Sequence, residues 1–280
     1  MSTTPPVSPI VYQIPLAQLG AFRGHPLVVR SDRPQDLVAQ LLQSDLGNLA
    51  YIQLCGLPSD TDVLMHWAEG LPIDLVLDNP GQDFPTLYGY AKLLDNHPVR
   101  ISLPVAPGFE KAVKLAWSLQ FAVRLKIGQH PAALIESLAR LLGDYLHKTM
   151  VTQPIEWFHS LLLGFLSDEP VSLWAIQEED PALVRYVDDQ GTRRLPGRLA
   201  ELVCGPAPEN FVADWSARLV AEGAECSHCP FFSPCRGYFK WPRPDYDCAG
   251  VKALLATLKE AADELRADIA AASSPSGARP

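Results

Sequence analysis

Residues 27–54 read Leu27-Val-Val-Arg30-Ser-Asp-Arg-Pro34-Gln-Asp-Leu37-Val38-Ala-Gln-Leu41-Leu42-Gln-Ser-Asp-Leu-Gly-Asn-Leu49-Ala-Tyr51-Ile-Gln-Leu54, and their pattern sets the fold class. Leu27–Arg30 is a short apolar run, too brief for a helix and rich in valine, so it reads as a strand. Pro34 then opens a helix with Leu37, Val38, Leu41 and Leu42 on one face, and Leu49–Leu54 is a second apolar run. Strand, helix, strand is the crossover unit that a parallel sheet requires. The same alternation continues outward through candidate strands Ile73–Leu77, Val99–Leu103 and Phe121–Ile127. Ser59 is expected to cap a helix carrying Val63, Leu64 and Trp67. Pro131 and Pro154 precede two longer amphipathic helices, the first with Leu134, Ile135, Leu138, Leu141, Leu142 and Tyr145 on its stripe, the second with Trp157, Leu161 and Phe165. The fold class is α/β with a largely parallel sheet.

After Ser167 the pattern changes. Val171–Ile176 and Leu183–Val187, with Asp188-Asp189-Gln190-Gly191 as a turn, suggest a hairpin in place of a further β-α unit. This places a domain boundary near residue 168, giving an α/β unit over 1–167, a cysteine-bearing unit over 168–272 that ends in an amphipathic helix from Val251 to Ala270, and a disordered tail over 273–280.

The chain has 280 residues, 48% of them apolar, enough for a large core. A formal charge of −9 opposes the counterion displacement on which nucleic-acid binding depends, so nucleic acid is not an expected partner. No apolar run approaches the roughly 18–20 residues that cross a bilayer, and Met1–Pro6 has neither the basic nor the apolar region of a secretory signal. The expected location is the cytoplasm, without membrane association.

Four of the six cysteines fall in one segment: Cys226, Cys229, Cys235 and Cys248, with two, five and twelve residues between them. In a reducing compartment, clustered thiols are metal ligands more often than disulfide partners. Pro230, Pro234, Pro242 and Pro244 stiffen the loops, and Phe231, Phe232, Tyr238, Phe239 and Trp241 are available to shield a metal from water. The spacing fits an iron–sulfur cluster and a four-cysteine structural zinc site equally well. His228, inside the Cys-x-x-Cys loop, is expected to face solvent or a cluster sulfur. Arg236 and Lys240 either offset thiolate charge or lie on the surface.

The run Cys226-x2-Cys229-x5-Cys235, followed by Gly237 and later Cys248, resembles the C-terminal SPASM domain of radical S-adenosylmethionine peptide maturases. The resemblance implies one [4Fe-4S] cluster on Cys226, Cys229, Cys235 and Cys248, with zinc as the alternative. Where that family carries a further cysteine four residues after the third, this chain has Phe239, so a first auxiliary cluster is not expected. Cys204 lies near an upstream ligand position of that missing cluster. Cys204 and Cys55 otherwise read as ordinary buried thiols. The family's Cys-x3-Cys-x2-Cys loop is also missing, and two remaining cysteines cannot supply the three thiols of the cofactor-cleaving cluster. Tyr51–Pro58 sits where the family has a Gly-Gly-Glu-Pro turn, with Cys55, Gly56, Leu57 and Pro58 keeping the turn and losing the carboxylate.

The resemblance therefore implies a degenerate partial (β/α) barrel with a SPASM-like iron–sulfur extension. Its expected role is that of a non-cleaving partner in maturation of a ribosomally made peptide, binding the precursor peptide or a radical S-adenosylmethionine maturase. The rival expectations are a redox or substrate-activating iron–sulfur enzyme and a zinc-stabilised scaffold. No phosphate-binding glycine loop, nucleophile elbow or His-Glu-x-x-His motif is present, and no catalytic residue is assigned. His25, His66, His97, His130, His147, His159 and His228 are scattered, and those beside prolines read as structural; Gln177–Asp180 and Asp188-Asp189 read as solvated loops.

Overall fold

The computed structural model describes residues 10–149, 151–201 and 210–273. Eight strands form one sheet: β1 (Val11–Pro15), β2 (Leu27–Ser31), β3 (Leu49–Leu54), β4 (Ile73–Val76), β5 (Val99–Pro104), β6 (Ala122–Lys126), β7 (Val184–Val187) and β8 (Arg193–Arg194). The helices are α1 (Leu19–Phe22), α2 (Pro34–Gln40), α3 (Gln43–Leu46), α4 (Pro80–Asp83), α5 (Phe109–Ser118), α6 (Ala132–His147), α7 (Glu156–Ser167), α8 (Leu173–Ile176), α9 (Phe211–Ala221), α10 (Phe232–Cys235) and α11 (Ala249–Ser273). The strand order is β6-β5-β4-β3-β2-β1-β7-β8, so β1 to β6 stand side by side in chain order. All pairs are parallel except β7–β8, which turn through Asp188–Gly191. The sheet is continuous across residue 168, because Val184–Tyr186 pair with Val11–Gln13.

Alternation along the strands separates two faces. Ile14, Val29, Ile52, Leu54, Ile73, Leu75, Ile101, Leu103, Val123 and Leu125 are buried in one continuous apolar core with the helices. The intervening positions carry Gln13, Tyr51, Gln53, Asp74, Arg100, Ser102 and Arg124, so the other face is polar. A parallel sheet ordinarily buries apolar side chains on both faces. The sheet also curls strongly. β1 and β6 are five strands apart, about 24 Å in a flat sheet, yet Gln13 Nε2 and Arg124 Nη1 both reach the same oxygen of Glu178, at 2.7 and 2.8 Å.

The expected strands match β2 to β6 closely, and the helices after Pro34, Pro131 and Pro154 are α2, α6 and α7. Four features differ. Val171–Ile176 contributes the short helix α8 and no strand; the hairpin is β7–β8. The expected helix after Ser59 is only a 3-10 turn, Asp62–Leu64, bounded by left-handed residues Leu57 (φ 51°) and Ala68 (φ 50°) and held by the buried His97, whose ring nitrogens lie 2.8 and 2.9 Å from the Leu64 and Leu71 carbonyls. β1, α5 and the short helices α1, α3, α4 and α10 are among the additional elements. The C-terminal helix extends through Ser273, so that residue is helical; the rest of the expected tail, and Cys204, lie outside the described residues. Among the described residues no helix is long and apolar enough to cross a membrane.

Candidate metal centre and the polar face of the sheet

The cysteine segment is anchored before it is shaped. Tyr238 is fully buried and donates its hydroxyl to the carbonyl of Ile127, just past β6, at 2.6 Å. Gln129 donates to the carbonyls of Phe239 and Arg243, and Tyr246 donates to that of His130. Arg198 lies 4.0 Å over the Tyr238 ring and donates to the Trp241 carbonyl at 2.8 Å. On the other side, Trp215 of α9 donates to the Gly237 carbonyl at 3.0 Å. Arg236 and Gly237 form a left-handed pair (φ 45° and 73°) that turns the chain after α10. The positive φ at residue 237 favours glycine, and a Cβ there would also press on the Leu219 side chain at 2.3 Å and on Trp215 at 3.0 Å.

These anchors bring all four expected ligands to one pocket. Cys226, Cys229, Cys235 and Cys248 line it together with Phe231, Phe232 and Phe239. Cys226 enters from a 3-10 turn (Glu225–His228), Cys235 from the end of α10, and Cys248 from the residue preceding α11. All four are free thiols. Burial raises the thiols of Cys226, Cys235 and Cys248, to about 11 for Cys235 and about 12 for Cys248. The thiols also act on one another: Cys229 raises Cys226, while Cys226 raises both Cys235 and Cys248. The backbone of Phe239 and Tyr238 opposes the rise at Cys235.

A cation belongs to the pocket as well. Lys240 is 5% exposed and pairs with Glu225, which also pairs with Lys252 of α11. The two ammonium groups hold Glu225 down to about 2. The long helix α11 adds its positive end beside Cys248. The surroundings therefore suit a negatively charged thiolate centre. Arg236 and His228 are exposed and stand outside the lining, as do Tyr238 and Trp241, which anchor the segment. Among the described residues no group of three or more Cys, His, Asp or Glu side chains is placed to hold a metal ion; the four thiols share the lining of one pocket.

No family model matches the chain, and no curated protein or solved structure matches it. Its chemistry rests on its own geometry.

The second charged assembly lies on the concave face and corrects the reading of Gln177–Asp180 as a solvated loop. Gln177 is buried, and its amide pairs with the edge of β6, accepting from Ile127 N at 3.1 Å and donating to the Leu125 carbonyl at 3.0 Å. Glu178 enters the sheet interior, where it meets Tyr51, Gln13, Arg124 and Arg100. Glu179 pairs with Arg198, the residue that grips the cysteine segment. Behind Glu178, Asp74 accepts from Gln53 at 2.8 Å and Ser102 at 2.7 Å and pairs with Arg100, which also reaches Glu156. Burial raises Tyr51, with Glu178 adding to the effect, so its hydroxyl remains a donor. Burial likewise raises Glu156, against the opposing pull of Arg100. Sequence reasoning did not find this assembly. Its signal was the alternation of Arg100 and Ser102 in β5, and of Arg124 and Lys126 in β6, with buried apolar residues.

Cys55 is half-buried and lines an open cleft at the C-terminal tips of β1 to β3 with Arg30, Ser31 and Arg33. Burial raises its thiol, and Arg30 opposes the rise.

Proposed function

We propose that Cys226, Cys229, Cys235 and Cys248 hold one [4Fe-4S] cluster and that the protein is a non-cleaving, peptide-binding component of ribosomal peptide maturation. The observation that carries the cluster is the convergence of four free thiols on one pocket with a buried lysine. Such a cluster is bound by four thiolates, the number that lines this pocket. When bound, it would supply a negatively charged iron centre able to exchange single electrons. Lys240 and Lys252 would offset that charge, and Phe231, Phe232 and Phe239 would exclude water.

The non-cleaving part of the proposal rests on arithmetic: with four of six cysteines at this pocket, two are left where three are needed. The sheet order β1 to β6, its curl and its polar inner face support a degenerate partial (β/α) barrel with the cysteine segment as a SPASM-like extension. The peptide-binding part is supported by β8, an exposed two-residue strand at the sheet edge carrying Arg193 and Arg194, where an extended segment can add.

Anaerobic purification with iron, sulfide and zinc analysis tests the centre. A brown protein with iron and sulfide in about equal amounts, near four of each per chain, is expected; a colourless protein with one zinc and no sulfide overturns it. Incubation with S-adenosylmethionine and dithionite tests the rest, since release of 5′-deoxyadenosine would end the non-cleaving assignment. Binding of candidate precursor peptides to the loaded protein, followed by fluorescence anisotropy, tests the partner.

A further inference from the structure

Glu178 has a left-handed backbone (φ 54°), which costs a non-glycine residue about 1–2 kcal/mol and persists only where surroundings impose it. This backbone aims the carboxylate into the sheet. One oxygen receives the Tyr51 hydroxyl at 2.6 Å, the Gln13 amide at 2.7 Å and Arg124 Nη1 at 2.8 Å, and the other faces Arg100 Nη2 at 3.5 Å. Four donors from four strands, β1, β3, β5 and β6, thus converge on one carboxylate position, and the group filling it comes from a loop outside the sheet. Asp74 is already satisfied by Gln53, Ser102 and Arg100. Arg124 is 6% exposed, and its second terminal nitrogen, Nη2, donates to the Gln177 carbonyl at 2.6 Å, so the guanidinium also holds the loop that carries Glu178. The Glu178 side chain is still 18% exposed and Glu156 beside it 32%, so the seat opens to solvent on that side.

We infer that Gln13, Tyr51, Arg100 and Arg124 form a carboxylate-binding site for an external ligand, and that Glu178 is a built-in occupant which the ligand displaces. The ligand class is a carboxylic acid, either a small free acid or the C-terminus or acidic side chain of a peptide. Displacement would let residue 178 leave its left-handed backbone, which offsets part of the lost ion pair. The site does not depend on metal in the cysteine pocket.

Glu178→Gly empties the seat while suiting the backbone, because glycine adopts positive φ without penalty. Acetate should raise the melting temperature of Glu178→Gly saturably, whereas chloride at equal ionic strength should not, and Glu178→Gly/Arg124→Gln should lose the response. The unmodified protein should respond at acetate concentrations at least tenfold higher, since its own carboxylate competes. Trialanine with a free C-terminus, set against its amide, separates the sources: a response to the free peptide tighter than to acetate assigns a peptide terminus, and a response to acetate alone assigns a small acid. Independently of any variant, hydrogen exchange at Gln177–Glu179 in the unmodified protein should accelerate with acetate and not with chloride. Indifference of Glu178→Gly to every carboxylate, or an equal response in the double variant, or unchanged exchange in the unmodified protein, overturns the inference.

Discussion

The cysteine pocket and the concave face of the sheet are both dense in ionisable groups, and they solve opposite problems. In the pocket, four thiols are held beside a buried ammonium with no anionic partner except the shared Glu225. On the concave face, Arg100 and Arg124 are each matched to carboxylates, and Asp74 receives three side-chain donors. One region sets thiols beside a cation; the other matches its cations to its own carboxylates. Buried polar groups are tolerable when satisfied and costly when not, so removing one thiol should leave the fold standing, whereas removing one charge from the concave face should lower its stability.

The largest effect is expected at the ligands. Cys235→Ser or Cys248→Ser should abolish nearly all bound iron and sulfide, measured by metal analysis after anaerobic reconstitution, while far-ultraviolet circular dichroism of the sheet persists. Next comes Arg124→Met, which leaves Glu178 buried without its closest cation; breaking a buried pair costs roughly 3–5 kcal/mol, to be read as a fall in the urea midpoint at undiminished iron content. If Arg124→Met lost iron and kept its midpoint, the contrast between the regions would be inverted. Gly237→Ala joins the two, since its Cβ meets Leu219 at 2.3 Å on a backbone at φ +73°; a loss of about 1–3 kcal/mol with weakened iron retention is expected.

The smallest effect concerns pH. Burial, with help from Arg198, lowers His130 from 6.5 to about 4. Between those values the unfolded chain binds more protons than the folded one, so stability falls as pH drops from about 6.5 towards 4 and is full above that window. His130→Gln, which can still accept from Gly128 N, should flatten the change in urea midpoint between pH 7 and pH 5. An unaltered slope would place the responsible group elsewhere.

The difference in legibility between the regions has a physical basis. The thiols lie within 23 residues, and thiols rarely gather without a metal, so their convergence was readable from spacing. β2 to β6 were readable because each keeps apolar residues at every second position or more often, whereas the short run of β1 ends on Pro15, which argues against a strand. Gln177-Glu178-Glu179 was misread because acidic runs are usually hydrated, and what neutralises them lies far away in sequence, at Arg100, Arg124 and Arg198. Only the folded sheet brings these partners together.

Helix α11 begins beside Cys248 and ends past Arg266, whose guanidinium takes up the carbonyls of Phe165 and Leu166 at the end of α7. From residue 248 to 266 a helix covers about 27 Å, so this rod touches the thiols at one end and caps a core helix at the other. Slack introduced at the sulfur end would be felt as fraying on the opposite side of the molecule, where an amide-exchange or protease-sensitivity probe near residue 166 could report on the state of the thiols without touching them.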